Sequence, residues 1–369
     1  MRRPAPVIAV SGLHRGESPQ PGGAVIEAIR AFWPAARFVG ISYDPMETGL
    51  YNRGPDHVDS AYLFPFPGAG ADQLMTRLMD LHDREGLSLV IPTLDSELAN
   101  YLAIRDDLKA HGVAVAIPER AALAARSKTE LGQLGARVGV PVPRTLASDT
   151  AAGLAALAGQ LGYPCYVKGR LYDARLVCNE AQLFGAFNDI AEVWGTTVLV
   201  QEAVYGEEYD VCAVGDGTGG LVASIAIRKL MKSRMGKGFG GVCVNDPDIA
   251  DIAARLVRDL KWKGALEMEL VKPAGRGHML FEINPRFPAW VSFPAKLGLN
   301  MPAWVAADAL GLALPDLRAP EAGQVFLRHC EDILTHIDDI ADMLIDRHNR
   351  NLTGGANADT PLVAEGKPS

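Results

Sequence analysis

Apolar runs and amphipathic segments alternate through the first third of the chain, and this alternation limits the fold more than any other feature. Strand-like apolar runs occupy residues 6–10, 38–43, 87–92 and 113–117. Helix-like segments occupy residues 24–32, 73–84 and 97–111. In residues 73–84 the leucines fall on one helical stripe. Regular alternation of this kind predicts a parallel sheet with helices on both faces.

The loop after the first strand reads SGLHRG at residues 11–16. It lacks the full G-x-G-x-x-G spacing of a dinucleotide site, and the motif Glu17-Ser18-Pro19 interrupts the start of the next helix. We interpret it as a strand-to-helix loop at the switch point of a Rossmann-like sheet. A nicotinamide-dependent oxidoreductase is therefore not favoured.

Composition excludes several classes of protein. The 369 residues suffice for two or three domains, and a net charge of −8 without a basic stripe argues against nucleic-acid binding. No apolar segment reaches membrane-spanning length. The five cysteines are scattered and form no C-x-x-C pair, which is typical of reduced thiols. These features predict a cytoplasmic protein that does not associate with membranes.

Two segments near residue 275 carry the chemistry. Residues 266–270 and 281–286 predict a β-hairpin whose period-two alternation brings acidic and amide side chains to shared faces. Glu282, Asn284 and Arg286 share one face, and Glu267 and Glu269 share one face of the partner strand. Carboxylate and amide oxygens suit Mg²⁺, and arginine suits a phosphate. The alternative is a surface hairpin whose polar residues face water.

This hairpin resembles the metal site of the ATP-grasp superfamily, in which a Glu precedes an E-x-N-x-R strand. The resemblance implies that Glu269, Glu282 and Asn284 bind Mg²⁺, with Mn²⁺ as an alternative, and that Arg286 is catalytic and stabilises phosphate. Glu267 is a competing metal ligand. We favour Glu269 because its distance of thirteen positions from Glu282 fits the family spacing better.

Two lysines extend the resemblance. Lys128 lies in an S-K-x-x-L segment that precedes G-V-P-V-P, and Lys168 ends an apolar strand. In the family both contact nucleotide phosphates; the alternative for Lys128 is a solvated helix residue. Residues 169–175 correspond to a flap that is usually rich in glycine but contain one glycine here. Three explanations stay open: a stiffer flap, substitution of amide donors by Arg170 or Arg175, or poor ATP binding.

Residues 198–211 resemble the family segment that binds adenosine. Gln201, Glu202 and Val204 occupy the positions that pair with adenine, and Glu208 occupies the ribose-binding position. The alternative is an ordinary β-hairpin with its turn at the glycine.

Cationic and aromatic residues complete the candidate set. Arg228 and Lys229 lie at a strand end, where basic residues can contact the transferred phosphate, and Lys229 is the candidate catalytic residue of the two. Residues 232–241 form a cationic, glycine-rich segment, interpreted either as a phosphate clamp or as a surface loop. Trp290 and Phe293 line an apolar substrate pocket or pack in the core. Residues 91–97 face the active site in the family, whereas Asp95 or Ser96 is also a candidate helix cap.

The predicted fold class is α/β, with α+β architecture in the ATP-binding part. The sequence divides into a Rossmann-like domain at 1–120, a first ATP-grasp lobe at 121–200 and a second lobe at 201–320. A C-terminal extension at 321–369 follows, and its final residues 352–369 are predicted to be disordered. Within these parts, helices are expected at 126–138 and 332–346.

The resemblance, which is of the carbamoyl-phosphate synthetase type, implies an ATP-dependent carboxylate–amine ligase. Such an enzyme activates a carboxylate as an acyl phosphate and couples it to an amine, releasing ADP and phosphate. The expected partners are ATP, a small carboxylate or amino acid, and an amine acceptor such as a peptide; many relatives are dimers. The alternatives are a small-molecule kinase on the same scaffold and an ATP-binding module without turnover.

Overall fold

The computed structural model describes residues 5–170, 173–233 and 236–349. Within these ranges the strands form three β-sheets. The strands are β1 Val7–Ser11, β2 Arg37–Ser42, β3 Ser60–Leu63, β4 Leu89–Ile91, β5 Ala114–Val115, β6 Thr145–Ser148, β7 Cys165–Lys168, β8 Ala174–Val177, β9 Val198–Glu202, β10 Glu207–Asp216, β11 Leu221–Lys232, β12 Gly238–Val244, β13 Lys263–Lys272, β14 Met279–Asn284, β15 Val325–Leu327 and β16 His348–Asn349. The α-helices are α1 Gly22–Phe32, α2 Ala71–Glu85, α3 Leu98–Ala110, α4 Arg120–Ala125, α5 Leu131–Val138, α6 Ala151–Leu161, α7 Glu180–Trp194, α8 Pro247–Leu260, α9 Ser292–Lys296, α10 Met301–Leu310 and α11 Ile337–Ile345.

The first sheet has the order β16-β3-β2-β1-β4-β5. Its strands β1, β2, β3, β4 and β5 all run parallel to one another. Every residue of β1 is buried because helices cover both faces of the sheet. Ile8 packs with α1 on one face, and Ala9 packs with α2 and α3 on the other. The predicted parallel, Rossmann-like arrangement is confirmed.

The second sheet is antiparallel, with the order β6-β9-β7-β8. Helices α6 and α7 contribute Leu154 and Phe187 to its core, where they join Val167 and Val200. Within this sheet, strand β7 ends at Lys168, and strand β9 contains the first part of the predicted adenosine-binding segment.

The third sheet is also antiparallel, with the order β14-β13-β10-β11-β12-β15. Helix α8 buries Ile252 and Leu256 in the same cluster as Val211 and Met268. Alternation of side chains therefore turns the neighbouring acidic residues to the opposite face. The β13–β14 hairpin confirms the one predicted from the sequence.

The segment between β9 and β10 crosses from the second sheet to the third. Strand β9 pairs with β6 and β7, whereas β10 pairs with β11 and β13. The alternative of an ordinary hairpin at residues 198–211 is therefore wrong.

The C-terminal residues return to the first sheet. Strand β15 joins the edge of the third sheet, α11 follows, and β16 pairs antiparallel with β3. The predicted disorder at residues 352–369 falls outside the described residues, and the division of the chain at residues 120, 200 and 320 remains a proposal. No helix in the described part of the chain is long and apolar enough to cross a membrane.

Short elements account for the differences from the predicted secondary structure. The four residues of β3 and the six of α4 were not predicted, because such short segments show little periodicity. The helix expected from residue 126 begins at Leu131, since the preceding residues form a turn in which the Ser127 carbonyl accepts from the amides of Glu130 and Leu131. Helix α11 begins at Ile337 rather than at residue 332.

Candidate active site

Three carboxylates form a row across the third sheet. In the register of adjacent strands, Asp210 on β10 lies opposite Glu269 on β13, which lies opposite Glu282 on β14. Neighbouring strands are about 4.8 Å apart, so the three side chains share one face within a short span. Asp210 is buried and was not predicted from the sequence. The row is a concentrated source of negative charge.

The next row separates the roles of the two β13 glutamates. Glu267 lies opposite Asn284, and the Arg286 Nη1 atom donates to its Oε2 atom at 2.5 Å. The Asn284 Nδ2 atom donates to Glu267 Oε2 at 3.2 Å and to Glu269 Oε1 at 3.4 Å. Glu267 is therefore satisfied by Arg286, whereas Glu269 faces Glu282. Glu269 is also paired, with Lys229 at 3.1 Å, and its role as the metal ligand stays a prediction.

Glu282 lies beside the two predicted phosphate-contacting lysines. Burial raises the Glu282 pKa, against the effect of the Lys128 ammonium, whose Nζ atom is 3.8 Å from Oε1. Lys168 places its ammonium over the rings of Tyr166 and Phe281, at 5.6 and 5.9 Å from their centroids. Burial lowers the Lys168 pKa, and Glu282 partly opposes that shift. Lys128 and Lys168, which are distant from Glu282 in sequence, thus both lie near its carboxylate.

Lys229 is held between carboxylates. Its Nζ atom is 2.9 Å from Asp210 Oδ1 and 3.1 Å from Glu269 Oε2, and its side chain is 3% exposed. Burial alone would lower the Lys229 pKa, but Glu269 and Asp210 raise it above its usual range. Glu208, the predicted ribose ligand, accepts from Lys232 Nζ at 2.6 Å. Lys229 is a buried, charged component of the site.

The adenosine segment is already partly hydrogen-bonded. Gln201 is buried, and its Nε2 atom donates to Thr145 Oγ1 at 2.9 Å. The Glu202 amide donates to the Arg144 carbonyl at 3.0 Å. Val204 lies in the crossing segment, and no other described residue accepts a hydrogen bond from its amide. Among the predicted adenine-binding positions, the backbone amide of Val204 is thus available to donate a hydrogen bond to a ligand.

Asp95 connects the first sheet to this site. Its carboxylate accepts from Arg126 Nη1 at 2.8 Å and lies 3.9 Å from Arg286 Nε. The side chains of Asp95 and Ser96 do not cap the helix that follows, so the capping alternative is wrong. Arg126 also donates to the Ile283 carbonyl at 3.3 Å. Arg126 was missed because only the fold brings it to β14.

Three cations, Arg286, Lys237 and Arg328, form a group in which Lys237 lies near both arginines and near Glu267. Burial lowers the Lys237 pKa, as do the nearby charges of Arg286 and Arg328, while Glu267 opposes them. Burial also lowers the Arg328 pKa; its Nη2 atom donates to the Ala289 carbonyl at 2.7 Å. Arg328 was missed because it follows β15, a three-residue strand whose partner could not be inferred from the sequence. We call these three residues the cationic group.

The contacts of Trp290 and Arg175 decide between roles that the sequence left open for these two residues. Trp290 is buried and stacks on Phe326, which also contacts Phe293, so core packing is the correct interpretation of Trp290. Arg175 pairs with Asp173 and Asp189, which argues against its replacing amide donors in the flap. Residues 171–172 of the flap and 234–235 of the cationic segment fall outside the described residues.

Comparison with known proteins found similar sequences and similar folds. The model of the family described as "ATP-grasp in the biosynthetic pathway with Ter operon" matches residues 195–330. The large chain of carbamoyl phosphate synthase from Streptomyces avermitilis is 27% identical over 234 residues, a match that covers 59% of this chain and 21% of the relative. The chain thus spans about a fifth of the length of the curated relatives that it matches.

Solved structures share the fold. A biotin carboxylase–ATP-analogue complex from Campylobacter jejuni has a TM-score of 0.64 at 16% identity, covering 84% of this chain and 72% of that one. An L-amino acid ligase from Bacillus licheniformis has a TM-score of 0.61 at 14% identity, covering 84% and 75%. The family model over residues 195–330, the similarity to the carbamoyl phosphate synthase chain and the shared fold together support an ATP-grasp superfamily member.

Proposed function

We propose that this protein is an ATP-dependent carboxylate–amine ligase. The observation that carries the proposal is the register of Glu269 and Glu282, opposite each other on adjacent strands with Lys128 and Lys168 at their side. Carboxylates for a divalent cation and lysines for phosphates in one place suit transfer of a phosphoryl group from ATP. The names of the similar carbamoyl phosphate synthase and L-amino acid ligase support the ligase outcome.

The donor set fits Mg²⁺, and Mn²⁺ as an alternative. Glu269 and Glu282 offer carboxylate oxygens from facing strands. The Asn284 amide nitrogen faces Glu267 and Glu269, and a flip of this amide would present its oxygen to an ion instead. These are the hard oxygen ligands that Mg²⁺ prefers. When bound, Mg²⁺ would neutralise phosphate charge and orient the phosphate chain.

The nucleotide would lie between the second and third sheets. Adenine would pair with the backbone of the crossing segment at Gln201, Glu202 and Val204, and the ribose hydroxyls would bind Glu208. Lys128 and Lys168 would then hold the phosphates by charge-assisted hydrogen bonds. The available Val204 amide and the change of sheet at this segment support this placement.

The cationic group would receive the carboxylate substrate, a small carboxylic acid or amino acid. Its charges attract a carboxylate and stabilise the oxyanions that form during transfer. A carboxylate oxygen attacks the terminal phosphorus of ATP, giving an acyl phosphate and ADP. An amine nitrogen, from a small molecule or a peptide, then attacks the acyl carbon; phosphate leaves, the nitrogen loses a proton and an amide remains.

Release of ADP tests this function. The protein is incubated with Mg²⁺ and ATP against a panel of carboxylic acids and amino acids, singly and in pairs. ADP that requires a carboxylate together with an amine is the expected result. ADP with single compounds and stable phosphorylated products would establish a kinase instead, and bound ATP without ADP release would indicate a binding module.

A further inference from the structure

A histidine and two aspartates meet where the start of α8 lies beside the connection between β13 and β14. Asp246 caps α8, Asp248 lies in its first turn, and His278 comes just before β14. One possible ligand atom from each of the three residues lies within 4.8 Å of those from the other two. We call these three residues the His278 cluster.

The His278 cluster lies on the α8 face of the third sheet, away from the carboxylate row. The His278 ring makes an edge contact with the Tyr209 ring, at 5.2 Å between centroids, and Tyr209 packs in the same core cluster as Ile249 of α8. Asp210, the next residue of β10, turns to the other face because side chains alternate along a strand. The His278 cluster is therefore separate from the proposed nucleotide and metal site.

The buried imidazole of His278 lacks a hydrogen-bond partner. Its side chain is 1% exposed, yet within the described residues neither ring nitrogen makes a hydrogen bond. Its Nε2 atom is 3.5 Å from Asp246 Oδ2. Burial lowers the His278 pKa, which favours the neutral imidazole that metal ions bind. Buried polar atoms in native proteins almost always have a partner, so this nitrogen, aimed at a carboxylate, points to a ligand.

The two aspartates have oxygen atoms available for that ligand. Asp246 accepts from the Asp248 amide through Oδ1 at 3.0 Å, which leaves Oδ2 facing His278. The Asp248 side chain is exposed and free to turn toward them. Ligands of one tetrahedral Zn²⁺ lie about 3.4 Å apart, given metal–ligand distances of about 2.1 Å. The His278 and Asp246 atoms are thus already close to the spacing that Zn²⁺ requires.

Lys272 is the cation that competes for this position. Its Nζ atom is 3.6 Å from Asp246 Oδ2, and its side chain is 37% exposed. A lysine with this exposure can move its ammonium into solvent when an ion binds.

We propose that Asp246, Asp248 and His278 bind one Zn²⁺ ion, which fastens the start of α8 to the connection between β13 and β14. One imidazole and two carboxylates, with a fourth position for water, form a ligand set that Zn²⁺ accepts. The inference does not depend on the proposed function, because none of these residues belongs to the nucleotide or carboxylate sites.

Calorimetric titration with Zn²⁺ in excess Mg²⁺ tests this inference, together with the Tm measured with and without Zn²⁺. Asp246→Asn, Asp248→Asn and His278→Gln each remove one ligand. Asparagine is also a good helix cap, so Asp246→Asn should keep the fold even if His278→Gln does not. The matched control is Asp251→Asn, on the same helix, where Asp251 pairs with Arg255 at 2.8 Å.

The native chain and the control should each bind one Zn²⁺, and their Tm should rise with Zn²⁺ because the ion binds the folded chain. Each ligand variant should bind Zn²⁺ at least about tenfold more weakly and lose most of the rise in Tm. Lys272→Met should bind Zn²⁺ more tightly than the native chain, because the competing charge is gone.

Glu282→Gln should keep the native affinity for Zn²⁺; a loss of binding in that variant would place the ion in the carboxylate row and overturn the inference. Equal affinities in the native chain and the two aspartate variants would also overturn it, because the ion would then lie elsewhere. The same holds if Lys272→Met shows no tighter binding, or if the native chain binds no Zn²⁺.

Discussion

Substitution of Lys168 should affect nucleotide binding and the stability of the fold to different extents. Within the described residues its ammonium has no carboxylate within ion-pair distance, and its contacts are the rings of Tyr166 and Phe281. Burial lowers its pKa, so the charged form gains little from the nucleotide-free fold. We therefore expect Lys168→Met to weaken nucleotide binding more than it weakens the fold.

The magnitudes follow from these contacts. Losing a charged hydrogen bond to phosphate costs about 1.5–3 kcal/mol, or roughly 10- to 100-fold in Kd. Losing two cation–π contacts costs about 0.5–2 kcal/mol. Methionine has a similar length and restores about 0.3–1.5 kcal/mol through sulfur–aromatic contacts. The free energy of unfolding without nucleotide should thus fall by no more than about 1.7 kcal/mol.

Calorimetric titration with Mg²⁺-ADP measures the Kd, and urea unfolding without nucleotide measures stability. The control is Lys272→Met, which removes a lysine on the third sheet that pairs with Asp246; its Kd should equal the native value. An unchanged Kd in Lys168→Met, or a stability loss as large as the loss of binding energy, would refute the reasoning and make Lys168 a structural residue.

Three further predictions follow from burial and charge. Glu282→Gln should abolish ADP release without lowering the nucleotide-free Tm, because burial already disfavours the ionised carboxylate; retained turnover would disprove the metal assignment. Arg328→Ala should raise the KM for the carboxylate about 10- to 100-fold while leaving the KM for ATP unchanged; steady-state kinetics that show the reverse would exclude Arg328 from the carboxylate site. Burial raises the pKa of Glu97 from 4.5 to about 7, so its stabilising contribution is complete below pH 4.5 and is lost as pH rises to 7. By linkage Glu97 should contribute a loss of about 3 kcal/mol over that range, so the fall in unfolding free energy measured in urea should be smaller by about that amount in Glu97→Gln than in the native chain; equal slopes would contradict the raised pKa.

Local sequence pattern predicted the parts of the site that depend on period-two alternation. The β13–β14 hairpin and the facing of Glu269 and Glu282 follow from alternating acidic and apolar residues. The choice between Glu267 and Glu269 was less secure, because a register shift between Glu269 and Leu270 breaks simple counting. In the structure Arg286 pairs with Glu267, and the choice of Glu269 as the metal ligand stays a prediction.

Contacts between distant segments were beyond sequence reasoning. Asp210 reads as one acidic residue in an apolar strand, and only the pairing of β10 with β13 makes it part of the carboxylate row. Arg328 follows β15, a three-residue strand whose partner could not be inferred. Arg126 reaches Asp95 across the boundary between the first and third sheets. Such contacts depend on tertiary packing, which local propensity does not encode.

The acyl phosphate is the central claim, and hydroxylamine tests it most directly. Hydroxylamine is an amine that attacks acyl phosphates to give stable hydroxamates, so it replaces an unidentified acceptor. The protein is incubated with Mg²⁺, ATP, hydroxylamine and a panel of carboxylic acids and amino acids, and products are measured by mass spectrometry, with Glu282→Gln as control. The account predicts a hydroxamate and ADP in equal amounts for at least one acid, and neither in the variant. AMP with pyrophosphate, or ADP without hydroxamate, would contradict it.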